Sequence, residues 1–263
     1  MPRTRAGLRR LTAIPTCRVS RALRHTAIVI ERLGFLRPSH TVPVTRWRAS
    51  SRWRARPTTL AILVIGLWLF GTGEALLVTS TLGNAPWTVL AQGMSSRLPL
   101  SIGMSTFLIS GTVLLLWIPL RERPGLGTIA NAVVIAVALQ VMVTVLPTPQ
   151  GAVPRLALVL AGIAAIGIGS GLYLTADLGP GPRDGWMTGI HRRTGWPISA
   201  VRLGIESSVL VIGWLLGGTV GIGTVLFALL IGPSVGYGLK LASAAGGTGP
   251  STLDADEHPE LEA

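Results

Sequence analysis

From Thr58 onward the chain is a succession of long apolar runs cut by short polar or Gly/Pro-rich joints, without the two-residue alternation of a half-buried strand. Six runs reach the ~20 mostly apolar residues that a bilayer-spanning helix needs: Thr58 to Ser80, Leu100 to Leu120, Gly127 to Leu146, Leu156 to Ala176, Pro197 to Gly217, and Ile222 to Ser243. The pattern therefore predicts an all-α polytopic membrane protein with six transmembrane helices.

The joints between the runs repeat. LGNAP at Leu82 matches LGPGP at Leu178, PLS at Pro99 matches PIS at Pro197, and GLGTIANAVVIA at Gly125 matches GIGTVLFALLIG at Gly221. Gly71, Gly73 and Ala75 align with Gly167, Gly169 and Gly171 in the same way. Ordered anchors, at one offset of ninety-six residues except for Pro99 and Pro197, which stand two further apart, point to a duplication, with a first membrane repeat over residues 58–146 and a second over 154–243. Each copy carries three spans, an odd number, so the second enters the membrane from the opposite face and the repeats are expected to be inverted. Inverted repeats about an axis in the membrane plane are a mark of many secondary transporters, whose sites lie at broken helices near the midplane.

After each LGxxP anchor comes a short stretch, Pro86 to Arg97 and Pro182 to Arg193. At 1.5 Å per residue each makes a helix of roughly 18 Å, half a membrane. Proline is favourable at a helix start, and the glycines before it let the backbone turn. Free amides and the positive dipole end at such a start suit an anion or a carboxylate. This makes Gly181, Arg183, Asp184 and Gly185, with Asn84 in the first copy, the candidate solute-binding residues; Asp184 is also placed to cap its helix. The competing reading is an interfacial loop with a short surface helix, which His191, Arg192 and Arg193 would suit at lipid headgroups.

Three charged residues lie deep inside the spans. Glu206 lies about 13.5 Å beyond Pro197 along its helix, close to the bilayer middle, where a charge costs on the order of 2.5–3.5 kcal/mol. Arg202, four residues earlier, shares its helix face. Glu74, beside Gly71 and Gly73, is a candidate proton or cation carrier, and the Arg202/Glu206 pair is the other candidate for coupling charge. Either can also be read as packing chemistry that only helps helices associate. Asn131 and Gln140 are better explained by helix-to-helix hydrogen bonds, and Gly167, Gly169 and Gly171 by close helix approach.

Composition sharpens this picture. Hydrophobic residues make up 49% of the chain and charged ones 13%, about half the charged share of a soluble domain. The net charge of +12 comes from residues 1–57, which hold fourteen arginines against the single acid Glu31. A basic, nucleic-acid-binding body is excluded, and residues 1–57 read as a disordered cytoplasmic tail drawn to anionic lipid. Residues 244–263 read as a second disordered tail, acidic at its end. Arginine and lysine in short loops stay preferentially inside. With the tail inside, Arg121, Arg123, Arg183, Arg192 and Arg193 are cytoplasmic, only Arg97 and Arg155 are outside, and both termini are cytoplasmic. Trp53, Trp117, Trp186 and Trp196 then fall near the inner interface, Trp87 and Trp214 near the outer one.

Cys17 is the only cysteine, so no internal disulfide or cysteine-based metal site can form. The sequence carries no HExxH or Walker ending, and GPSVG at Gly232 to Gly236, inside the last span, reads as a small-residue packing face rather than a nucleophile elbow. It gives no ground for an enzyme, a cofactor or a metal.

The stretch LGPGPRDGWMTGIHRRTGWPISAVRLGIE, followed by GGTVGIGTVLFALLIGP, resembles the YczE/YyaS/YitT family of bacterial integral membrane proteins, particularly its YczE-like branch. The resemblance covers about Thr58 to Ala242 and is most specific at Leu178, Gly179, Pro180, Gly181, Pro182, Arg183, Asp184 and Gly185. It implies a multispanning protein of the bacterial plasma membrane and names no substrate. Two functions follow as expectations: a secondary transporter or channel-like protein for a small polar solute, anionic ones included, or a non-transporting membrane interaction, assembly or regulatory factor. The lipid bilayer is the expected partner, nucleic acid is not, and a protein partner or homo-oligomer is left open.

Overall fold

The structure, a computed structural model, describes residues 42–247. Most of the expected N-terminal tail and nearly all of the acidic C-terminal one lie outside the described residues. The described chain is all-helical: α1 (Pro57–Ser80), α2 (Pro86–Arg97), α3 (Ile102–Leu115), α4 (Trp117–Leu120), α5 (Leu126–Val145), α6 (Ala152–Thr175), α7 (Pro182–Thr194), α8 (Ile198–Leu215) and α9 (Ile222–Gly246). Six segments are long and apolar enough to cross a membrane, α3 and α4 together forming one of them over Ile102–Leu120. The expected spans agree within a few residues at their ends, and the two half-length helices appear where the LGxxP anchors place them.

Local chemistry sets the helix starts. Pro57, Pro86 and Pro182 stand at the first turn of α1, α2 and α7, where a missing amide donor costs nothing. Ser101 caps α3 by accepting from Met104 N at 3.2 Å. The hydroxyls of Thr128 and Thr224 accept from Gly125 N and Gly221 N at 3.1 and 3.4 Å, tying down the starts of α5 and α9 in the same manner. Both α1 and α6 end through a left-handed residue, Thr81 at φ 58° and Asp177 at φ 52°, which turns the chain toward the short helix that follows.

Packing relies on close backbone approach, because lipid tails remove the hydrophobic drive that would hold helices together in water. α1 packs along α6 and α5, α6 along α1 and α9, α2 against α8 and α3, and α7 against α3, α4 and α8. A Cβ on Gly66 would stand 2.9 Å from Gly169 O, and one on Gly73 would stand 2.6 Å from Gly162 O. As the chain advances along α1 its contacts retreat along α6, so these two helices run antiparallel. Gly71 meets Ala138 of α5, and Gly167 meets Ser234 of α9. Beyond the helices, Gly127 N donates to Leu178 O and Gly223 N to Leu82 O, both at 2.8 Å.

The expected tail boundary at residue 57 is corrected. Residues 42–56 form no helix but are part of the packed body, because Trp47 finds a buried partner there. Its indole Nε1 donates to Thr175 Oγ1 at 3.1 Å, and the ring is 5% exposed. Arg46 N donates to Gly246 O at 3.2 Å, Ala49 N to Ala176 O at 3.0 Å, and Arg48 pairs with Asp177 at 2.8 Å. Arg52 O accepts from Leu126 N at 2.9 Å. This strap thereby joins the C-terminal ends of α6 and α9 to the N-terminal end of α5.

Candidate functional site: a charged cavity between the helices

Helices α1, α6 and α7 bring four polar side chains together inside the bundle. Glu74, on the buried face of α1, keeps its side chain 1% exposed. One oxygen, Oε1, accepts from Arg183 NH1 at 3.2 Å, whereas Oε2 is buried and has no hydrogen-bond partner. Arg183, in the first turn of α7, lies with its guanidinium 5.2 Å from the centre of the Trp87 ring. Next to it Asp184 Oδ2 accepts from the Tyr173 hydroxyl at 2.9 Å.

These side chains line a cavity of about 260 Å³. Arg202 and Glu206 of α8 line it too, joined by a bond of 2.8 Å from Nε to Oε1. Counted in their ionised forms, the five charges that reach the cavity are three carboxylates and two guanidiniums, a formal sum of −1. Apart from Ser110, Asn131 and Ser170, the remaining wall is mainly apolar and aromatic; Phe70 stands edge-on to Tyr173 at 6.4 Å, and Trp87 is backed edge-on by Trp186 at 6.2 Å.

Lining residues come in pairs that stand ninety-six positions apart: Glu74 with Ser170, Ala85 with Gly181, Trp87 with Arg183, and Ser110 with Glu206. The charged member falls in the second half of the chain for Arg183 and Glu206, and in the first half for Glu74. The cavity is thus bounded by pairs at a fixed sequence offset whose chemistry differs.

Of the candidate residues, Gly181, Arg183, Asp184, Glu74, Arg202 and Glu206 meet around this one space. Asn84 and Gly185 do not. Asn84 is buried away from the cavity, where its Nδ2 donates to Gln92 Oε1 at 2.8 Å; the same oxygen accepts from Thr219 N at 2.7 Å. Gly185 is a packing position, since a Cβ there would come within 2.1 Å of the Trp117 ring. Asp184 was expected to cap α7, but Gly181 is the N-cap residue and makes no side-chain cap bond; Asp184 turns instead to Tyr173.

The tryptophans expected at the interfaces also divide. Trp87 is 5% exposed and Trp117 2%; the first forms cavity wall, and the second buries its indole to donate from Nε1 to Pro182 O at 2.9 Å. Gln140 makes the helix-to-helix bond foreseen for it, accepting from Gly103 N at 3.0 Å. Asn131 instead faces the cavity. Sequence reasoning missed Tyr173 and Trp87 as site residues. Trp87 had a usable signal, since it occupies in α2 the place that Arg183 occupies in α7.

Among the described residues, no group of three or more His, Cys, Asp or Glu side chains is placed to hold a metal ion.

Comparison with known proteins places this architecture among bacterial membrane proteins. The model of a family of unknown function, DUF6198, matches residues 57–240. An uncharacterized protein of Haemophilus influenzae is 46% identical over 200 residues, 76% of this chain and 92% of the relative. The uncharacterized membrane protein YczE of Bacillus subtilis is 33% identical over 183 residues, 69% of this chain and 82% of the relative. The uncharacterized protein YyaS of the same organism is 26% identical over 172 residues, 64% and 86% of the two chains. No solved structure matches.

Proposed function

The chain belongs to the family of unknown function DUF6198, a YczE/YyaS-like family of membrane proteins, and on that footing we propose that it moves a small polar solute across the plasma membrane, without enzymatic chemistry, through two inverted three-helix repeats.

The repeat reading is supported by contacts that exchange when each partner is shifted by ninety-six residues in opposite directions. Gly66 with Gly169 becomes Gly162 with Gly73, and Gly127 N to Leu178 O becomes Gly223 N to Leu82 O. Gly71 with Ala138, a contact within the first copy, becomes Gly167 with Ser234 within the second when both partners move forward by ninety-six residues. A two-fold axis that inverts one half relative to the other would give this exchange, and the antiparallel run of α1 against α6 supports that reading. A cavity lined by equivalent positions lies on such an axis, where alternating-access carriers hold their solutes.

Orientation follows the arginines. Arg48, Arg52, Arg123 and Arg192 gather at one end of the bundle, through Arg48 with Asp177, Arg52 NH1 to Arg123 O at 3.2 Å, and Arg192 with Glu122. That end is assigned to the cytoplasm, and both described chain ends, near Arg46 and Gly246, lie there.

The observation that carries the proposal is Glu74: a carboxylate 1% exposed within a transmembrane helix, with one oxygen bonded to Arg183 and the other unpartnered. An intramembrane charge of this kind is costly, and a transport pathway gives it a purpose. Counterflow and osmotic swelling of proteoliposomes, across a panel of small amines, carboxylates and polyols, test it. The expected result is passage above that of empty liposomes, lost in Glu74→Gln and Arg183→Ala; passage unchanged by both substitutions rejects the proposal.

A further inference from the structure

Resting on the solute-cavity reading above, we propose that the solute carries an ammonium group and that Glu74 Oε2 receives it. An anion fits this cavity poorly. Its formal charge is already −1, and the dipole end of α7, the sequence's best anion site, has Asp184 in its own first turn. A cation neutralises the sum.

The geometry supplies the acceptor. Glu74 Oε2 is buried without a partner in a side chain that lines the cavity, while Oε1 is already held by Arg183. A buried unpartnered carboxylate oxygen is costly unless a donor arrives. The aromatic wall completes the recognition. Arg183 rests over the Trp87 face at 5.2 Å, so this surface already accepts one cation, and Phe70, Tyr173 and Phe227 offer further ring surface around the same space. At about 260 Å³ the cavity lies just below the usual range for drug-sized ligands, which suits a small amine. An ammonium group belongs equally to a simple amine and to a zwitterion, whose carboxylate would meet Arg202.

Calorimetric titration of the full chain in nanodiscs with ethylammonium, β-alanine and propionate separates these cases. Binding of ethylammonium or β-alanine, weakened on the order of tenfold or more in Glu74→Gln through loss of one nearby charge, is the expected result. Tighter binding of ethylammonium than β-alanine identifies a simple amine, and the reverse a zwitterion. Arg202→Gln, which removes a positive charge from the same cavity, should strengthen ethylammonium binding, a change of sign that a merely structural effect would not give. Glu206→Gln provides a second charge removal should Glu74→Gln fail to fold, and should weaken binding. Binding of propionate alone, lost in Arg183→Ala, overturns the ammonium assignment and leaves a solute cavity standing. Absence of binding by all three probes overturns both.

Discussion

Gly73 and Gly162 hold the α1 and α6 backbones in mutual contact: a Cβ on the first would stand 2.6 Å from Gly162 O, and one on the second 2.7 Å from Gly73 O. Neither neighbour is a flexible side chain that can give way. Replacing either glycine by valine should therefore separate the helices at a cost of about 1–3 kcal/mol, the range for overpacked cores. Thermal unfolding in detergent should show the loss in both single variants. Gly232, where a Cβ would meet nothing within 4 Å, serves as the control and should tolerate alanine with little change.

The Glu74–Arg183 pair should behave as a buried charge pair. Arg183→Ala leaves a carboxylate that is 1% exposed without its cation, and breaking such a pair costs about 3–5 kcal/mol. Adding Glu74→Gln removes the orphaned charge and should recover most of that loss. A double-mutant cycle on unfolding free energy reads the coupling; strictly additive effects would show that the two residues do not interact.

The strap over residues 42–56 depends on Trp47. Its ring is 5% exposed and its indole bonds Thr175, so Trp47→Ala should release the strap at about 3–5 kcal/mol, the usual cost of truncating a buried large aromatic. Limited trypsin digestion provides the measurement. Cleavage after Arg48, Arg52 and Arg54 should accelerate in the variant, whereas cleavage after Arg97 should not.

Membrane sidedness has a direct check. In a Cys17→Ser background, single cysteines at Gln150 and Arg193, both exposed, should face opposite sides. A membrane-impermeant maleimide added to intact cells should label Gln150→Cys only, and Arg193→Cys should react after permeabilisation. Equal labelling of both from outside would contradict the assignment of the arginine-rich end to the cytoplasm.

Much of the fold was legible in the sequence because bilayer insertion is decided locally. A run of apolar residues of the right length spans whatever its neighbours do, so the spans and the Pro86 and Pro182 helix starts were readable one segment at a time. The glycine alignment was readable as well, since small residues mark close helix approach. Residues 42–56 were not, because their arginines spoke for a solvated tail while the one anchoring side chain, Trp47, gains its partner only from Thr175, 128 positions later.

The chain by itself determined six membrane crossings, two half-length helices and the identity of the charges inside the bilayer. Only the tertiary structure decided which of those charges share a space. Arg183 reaches Glu74 across 109 positions, Tyr173 claims the carboxylate that was expected to cap a helix, Asn84 turns to Gln92, and Gly185 packs on Trp117. The physical reason is that hydropathy is a property of a segment, whereas the partner of a buried charge is set by which helix faces meet.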